Sequence, residues 1–184
     1  MNTLIGISSP AMQMGKDSVA DWLCEAWGFK KLSMVDPLKK MLRELYKNCG
    51  VNEVLIWECL WGSKKEEPCP FYPEVTNRWM MQTLGTEWGR DQIGNDFWVS
   101  VMPEQIGVGQ KIVFPDVRFI GEANMIKRRG GIMVQVIRPG VKIPEGAEHS
   151  SEGGLDDYEF DAIILNDTTL ENLKDKVDTF VNIN

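Results

Sequence analysis

Two periods of apolar residues alternate along this 184-residue chain. Thr3 to Ile7 is a nearly continuous apolar run, the pattern of a short strand buried on both faces. From Lys16, the residues Val19, Trp22, Leu23, Ala26 and Trp27 recur at helical spacing, and Gly28 supplies a stop. Phe29 to Met34 reads as a second strand. After Asp36-Pro37, the residues Leu38, Met41, Leu42, Leu45 and Tyr46 repeat the helical pattern, and Val51 to Leu60 predicts a further short helix. Asn77 to Ile93 and Phe97 to Ile106 are again helical, the first interrupted by Gly85 and Gly89. Lys111 to Phe114, Gly131 to Ile137 and Ala162 to Leu165 are strand-like, with a helix over Ile120 to Arg129 between the first two. Thr168 and Glu171 make a capping box ahead of a last helix that carries Leu170, Leu173, Val177 and Val181 on one face.

Two stretches break the pattern. Trp61 to Pro73, WGSKKEEPCPFYP, holds three prolines and a charge cluster and reads as a mobile loop; Arg138 to Gly154, rich in Gly, Pro, Glu and Ser, reads as a second. Short apolar strands alternating with amphipathic helices predict an α/β fold. The expectation is a three-layer sandwich, one domain over residues 1–184, with a mostly parallel five-stranded sheet and helices on both faces.

Composition narrows the function classes. With 43% hydrophobic residues the chain can bury a full core. The formal charge of −7, with both signs interspersed, argues against nucleic acid or an anionic membrane as partner. A site for a phosphorylated small molecule is still allowed, because it needs only a few local cations. The segment MNTLIGISSP lacks the basic start and long apolar core of a signal peptide, and no stretch approaches a membrane span. A soluble, cytoplasmic protein is expected. Four cysteines without a CxxC pair, and the single His149 far from them, read as reduced thiols rather than a zinc site.

The stretch SSPAMQMGKDS, Ser8 to Ser18, lies between the first strand and the first helix. A phosphate-binding loop needs such a strand, a turn dense in backbone N–H groups, a lysine, and a helix whose N-terminus faces the anion. Met14, Gly15, Lys16, Asp17 and Ser18 are the residues that would meet a triphosphate here. The consensus GxxxxGK[ST] departs twice. Its first glycine is replaced by Pro10, which has no N–H. Its hydroxyl is displaced by one residue to Ser18, a Gly-Lys-x-hydroxyl spacing that nucleoside monophosphate kinases often carry. Taken alone, an ordinary strand-to-helix turn explains the stretch as well.

A resemblance becomes specific in the middle of the chain. RWMMQTLGTEWGRDQIGNDFW, Arg78 to Trp98, and FPDVRFIGEANMI, Phe114 to Ile126, resemble the tailed-phage deoxynucleoside monophosphate kinases. The GKDS loop, VDPLK at Val35 to Lys39 and ILND at Ile164 to Asp167 fall in the order that family shows. The likeness covers most of the chain and is weakest across residues 49–75. It implies a phosphate-loop kinase fold in which residues 36–106 form a helical acceptor-binding region and 138–154 a lid-like loop. It implies ATP and Mg²⁺ as cofactors and small-molecule nucleotides as partners, with a homodimer left open. By the same resemblance Asp116, Arg118 and Glu122 belong to the monophosphate site, and Gln82, Gly85, Thr86 and Trp98 match the family's substrate stretch. Arg138 stands where such kinases bring a lid arginine to the transferring phosphate. His149, Ser150, Ser151 and Glu152 resemble an H-S-x-E element of related kinases. Asn166 stands where the adenine of ATP rests.

Elementary chemistry fits that picture. Transfer between two phosphorylated nucleotides brings like charges together, so the site needs several cations and Mg²⁺. Lys16 is placed for the donor phosphates. Arg78 and Arg90 lie on the glycine-interrupted stretch, and Arg118 follows the end of a strand, where α/β sheets bind ligands. Lys16, Arg118 and Arg138 are the catalytic candidates. Each arginine is equally open to a surface ion pair. Ser18 and Asp116 are the candidates for holding Mg²⁺ through water; Asp116 can instead read a sugar or base, or cap a turn. Trp98 can stack on the base or fill the core. Asp36 and Lys39 can approach the acceptor, or be a helix-start acid and a solvated lysine. The expected reaction is ATP-dependent phosphorylation of deoxynucleoside monophosphates to diphosphates. A kinase for another phosphorylated small molecule and a non-catalytic nucleotide-binding protein are the alternatives.

Overall fold

Two compact units divide the chain: a sheet unit of Met1–Met34 with Ile106–Asn184, and a helical unit of Val35–Gln105. The computed structural model describes residues 3–141, 154–155 and 157–183. In chain order the elements are β1 (Thr3–Ser8), α1 (Lys16–Trp27), β2 (Lys30–Lys31), α2 (Asp36–Asn48), α3 (Glu53–Leu60), β3 (Pro68–Cys69), β4 (Tyr72–Thr76) and α4 (Asn77–Thr83). A π-helical segment (Leu84–Ile93) follows, then α5 (Phe97–Ser100), β5 (Lys111–Phe114), α6 (Ile120–Arg128), β6 (Ile132–Ile137), β7 (Ala162–Leu165) and α7 (Leu170–Ile183).

In the sheet unit five strands run in the order β2-β5-β1-β6-β7, every neighbouring pair parallel. β1 is central because its apolar run has no polar face to turn to water. Ile5 and Ile7 join Val113, Val134, Val136 and Ile164 on one face, against Val19, Ala20 and Leu23 of α1 and Leu173, Val177 and Phe180 of α7. Leu4 and Gly6 alternate to the other face, which α6 covers. Gly6 is bare there because Met133 and Ile126 fill the space a side chain would take. Helices on both faces of a parallel five-stranded sheet match the expected α/β sandwich. The second strand is shorter than the expected Phe29–Met34: only Lys30 and Lys31 pair with β5, while Phe29 drops into the core. The last helix starts later than the Thr168–Glu171 box implies. Thr169 is the cap, its Oγ1 accepting from Asn172 N at 3.3 Å. Trp22 and Trp27 both donate their indole N–H to Asp178 Oδ1, at 2.8 and 2.7 Å, and bind α7 to α1.

The helical unit has its own core, with Leu38, Leu42, Tyr46, Ile56, Cys59, Leu60, Cys69 and Trp98. Pro37 opens α2 at a position where its missing N–H costs nothing. Asn52 caps α3 and Thr76 caps α4, each side-chain oxygen accepting a backbone N–H at 3.0 Å. The stretch Trp61–Pro73, expected as a loop, is instead a helical turn at Lys64–Glu66 followed by the β3–β4 hairpin. Buried Asn77 is the reason. Its Nδ2 donates to the carbonyls of Lys64 and Glu67 at 2.8 and 3.0 Å, and its Oδ1 accepts from the Tyr46 hydroxyl at 2.7 Å. Burial pushes the Tyr46 phenol well above its ordinary pKa, so it stays a donor.

The helix expected through Ile93 does not break at its glycines. It widens into the π segment, closed by Gly94 N–H donating five residues back to Gly89 O at 3.1 Å. A side chain at 89 would collide with the Trp98 indole. Beyond it the helical pattern of Phe97–Ile106 yields only the single turn of α5 and a 3₁₀ turn at Pro103–Gln105.

Candidate active site

The loop between β1 and α1 carries the first predicted group. Lys16 is the first residue of α1, preceded by Gly15 at φ 99°, so the helix N-terminus and its free N–H groups open at the end of the loop. Ser18 is half-buried in the first turn, and Asp17 is exposed beside it. Met14, the bulky residue of the loop, is buried to 2% exposure, whereas Met12 is 80% exposed. Pro10 is half-buried.

Asp116 lies two residues past the end of β5. Val117 N–H donates to Ile7 O at 2.9 Å, which fixes this turn against β1. Lys16 Nζ reaches Asp116 Oδ1 at 2.6 Å, and Arg118 Nε and Nη2 reach Oδ2 at 3.0 and 2.8 Å. One carboxylate therefore holds two cations from positions 102 residues apart in Lys16 and Arg118. Burial would raise the Asp116 pKa, but the hydrogen bonds from Arg118 and Lys16 outweigh it and keep the carboxyl below its ordinary value. Asp116 in turn raises Arg118. Glu122, 5% exposed, accepts from the N–H groups of Arg118 and Phe119 at 2.9 and 3.2 Å, and so fixes the backbone at the start of α6.

Arg138 follows β6, with an exposed side chain, and its N–H donates to the Met14 sulfur at 3.3 Å. Asn166 follows β7, and its Nδ2 donates to Met14 O at 3.0 Å. Of the lid-like loop, residues 142–153, including His149, Ser150, Ser151 and Glu152, lie outside the described residues.

The helical unit carries the other predicted residues. Asp36 and Lys39 lie on the first turns of α2. Lys39 is half-buried, its Nζ 5.5 Å from the centre of the Trp61 ring. Its pKa is lowered, by burial first and then by the positive charges of Lys65 and Arg78, with Asp36 pulling the other way. Arg78 on α4 is exposed and pairs with Glu66. Gln82 and Thr86 are exposed, and Gly85 and Arg90 half-buried, along α4 and the π segment. Trp98 is 5% exposed, its Nε1 donating to Gly85 O at 2.8 Å and its ring packed on Phe97 and Trp88. Of the two roles open to it, the geometry gives it the core.

Comparison with known proteins decides the family. The family model for deoxynucleotide monophosphate kinase matches residues 71–177. The chain belongs to the deoxynucleotide monophosphate kinase family. A protein of Acanthamoeba polyphaga mimivirus that bears that name provisionally is 30% identical over 173 residues, covering 85% of each chain. The deoxynucleotide monophosphate kinase of Enterobacteria phage T4 is 30% identical over 105 residues, which is 54% of this chain and 43% of that one. Among solved structures, a dephospho-CoA kinase from Campylobacter jejuni matches 99% of this chain and 97% of its own, at 11% identity and a TM-score of 0.44. A Janibacter sugar kinase matches at 13% identity and a TM-score of 0.43, over 100% and 96% of the two chains.

Family membership makes the protein a phosphotransferase that acts on small nucleotides. No helix among its described residues is long and apolar enough to cross a membrane. Its sequence announces Lys16, Asp116 and Arg118 but conceals Lys65, Glu66 and Trp61, which surround Lys39 and Arg78. The run KKEE between Gly62 and Pro68 is the signal for Lys65 and Glu66, and a charge run of that kind is ordinarily a solvated face.

Proposed function

We propose that the protein transfers the γ-phosphoryl group of ATP to the 5′-phosphate of a deoxynucleoside monophosphate, giving the diphosphate and ADP. The observation that carries this reading is the Lys16–Asp116–Arg118 arrangement at the start of α1 and the end of β5. In it, two cations are held in fixed positions by a carboxylate that a more highly charged phosphate can outbid. Lys16, with the N–H groups of Gly15, Asp17 and Ser18, takes the donor β- and γ-phosphates. Arg118 meets the transferring group, and Arg138, exposed after β6, is the third catalytic cation.

An acceptor phosphate oxygen bonds to the γ-phosphorus as the bond to the ADP oxygen breaks. That nucleophile is already ionised, so no general base is needed and catalysis is positioning plus charge neutralisation. Ser18 and Asp116 would hold Mg²⁺. No cluster of three His, Cys, Asp or Glu side chains able to cage a metal occurs among the described residues. A hydroxyl and one carboxylate suit an ion that takes its other ligands from phosphates and water. When bound, Mg²⁺ neutralises phosphate charge.

In the helical unit, Lys39 and Arg78 form the cationic surface for the acceptor phosphate. Asp36, Gln82, Gly85, Thr86 and Arg90 line the acceptor side, with Trp98 holding the Gly85 backbone from the core. Before nucleotide binds, Asp116 and Glu122 keep Arg118 in place.

The test is a coupled assay for diphosphate formation with the four deoxynucleoside monophosphates, their ribose counterparts and dephospho-coenzyme A as acceptors. Turnover of deoxynucleotides with ATP and Mg²⁺ is expected. ATP binding without turnover of any nucleotide would sink the reading.

A further inference from the structure

The phosphate loop is held by two strands it does not belong to. Gln13, at φ 63°, and Gly15, at φ 99°, both adopt the left-handed region, and between them Met14 turns inward to 2% exposure. A non-glycine residue such as Gln13 keeps that conformation only where its surroundings impose it. The surroundings are the residues that follow β6 and β7. Arg138 N–H donates to the Met14 sulfur at 3.3 Å, and Asn166 Nδ2 donates to the Met14 carbonyl at 3.0 Å. Asn166 is itself locked in the sheet, its own N–H donating to Ile137 O at 2.8 Å. A Cβ on Gly15 would stand 2.5 Å from Asn166 Nδ2, so the side-chain amide fills the space the glycine leaves.

We propose that Met14 is the bolt and Asn166 the catch of a latch that sets the loop before nucleotide arrives. Asn166 then acts as a positioning residue for the donor triphosphate rather than as a reader of its base. The inference rests on the loop being the donor site. It also accounts for Pro10: a loop whose shape is imposed by a buried methionine and two neighbouring strand ends does not need a flexible glycine at its start.

Asn166→Asp keeps the side-chain shape, removes the donor and sets a carboxylate oxygen against the Met14 carbonyl. Calorimetry with ATP, GTP and inorganic tripolyphosphate, together with steady-state kinetics, reads the effect. The latch predicts a loss of roughly tenfold in affinity that is equal for all three, and a KM for ATP raised to match. The acceptor KM should stay near wild type, the melting temperature should fall by a few degrees, and the methyl NMR signal of Met14 should move. If Asn166→Asp does not fold, Asn166→Ala serves, with the same pattern expected. A loss confined to ATP would make Asn166 a base reader and overturn the latch, as would wild-type affinity for all three ligands. Failure of the wild-type protein to bind any of them would overturn the donor-site reading and the latch with it, and is told apart because no variant is involved.

Discussion

The two units arrange their cations in opposite ways. In the sheet unit Lys16 and Arg118 share one carboxylate, which offsets part of their charge and fixes their geometry without ligand. In the helical unit Lys39 is held below its ordinary pKa by burial first and then by Lys65 and Arg78, with Asp36 offsetting part of that crowding. A carboxylate-paired group exchanges partners when a phosphate enters, at little cost in structure. A crowded one gains whenever an anion arrives, because the anion relieves repulsion already present. The first arrangement suits precise placement of a transferring group, the second suits capture of a substrate.

Replacements on the two sides test that contrast. Lys16→Ala deletes the cation on the donor phosphates and should lower kcat by about 10²–10³-fold, measured in the coupled assay; near-normal turnover would remove the loop from the site. Lys39→Met should raise the acceptor KM by roughly tenfold and leave the KM for ATP unchanged. The same variant should lose the rise in melting temperature that inorganic phosphate gives wild type. An equal effect on both substrates would erase the distinction between the units. Tyr46→Phe removes the hydroxyl that satisfies Asn77 and should cost about 1–2 kcal/mol in denaturant unfolding, a test of how firmly the helical unit holds the turn next to Lys39.

The smallest effect concerns Asp116→Asn. The folded pKa of Asp116 is depressed, so its contribution to stability is full above the ordinary carboxylate pKa and fades as pH falls through the folded value. With the carboxylate 40% exposed, solvent screening keeps that contribution to about 1 kcal/mol or less. The gap in stability between wild type and variant should therefore be present at pH 7 and close on acidification below pH ~4.

Much of this was legible in the sequence, for reasons that differ by residue. β1, β5 and β6 declare themselves because strands buried on both faces have little room for polar residues, and their ends place Lys16 and Asp116. The short span of β2 was not legible, since Phe29 is apolar for the core rather than for a ladder. The β3–β4 hairpin was hidden because a buried polar residue, Asn77, organises it, and no hydrophobic period reports such a residue. The sequence offers Met14 as a residue that would meet a triphosphate; only its burial reveals it as an anchor. The sharing of Asp116 by Lys16 and Arg118 joins distant positions, which local pattern does not encode.

The stays of the phosphate loop also have a consequence in time. The loop and α1 come near the start of the chain, yet the side chains that steady them, Asn166 and Asp178, come 152 residues after Met14 and 156 residues after Trp22. A ribosome will have made the whole helical unit, and all five strands of the sheet, before either arrives. On the latch proposal, a nascent or truncated chain without Asn166 should hold triphosphate poorly even when its helical unit is complete.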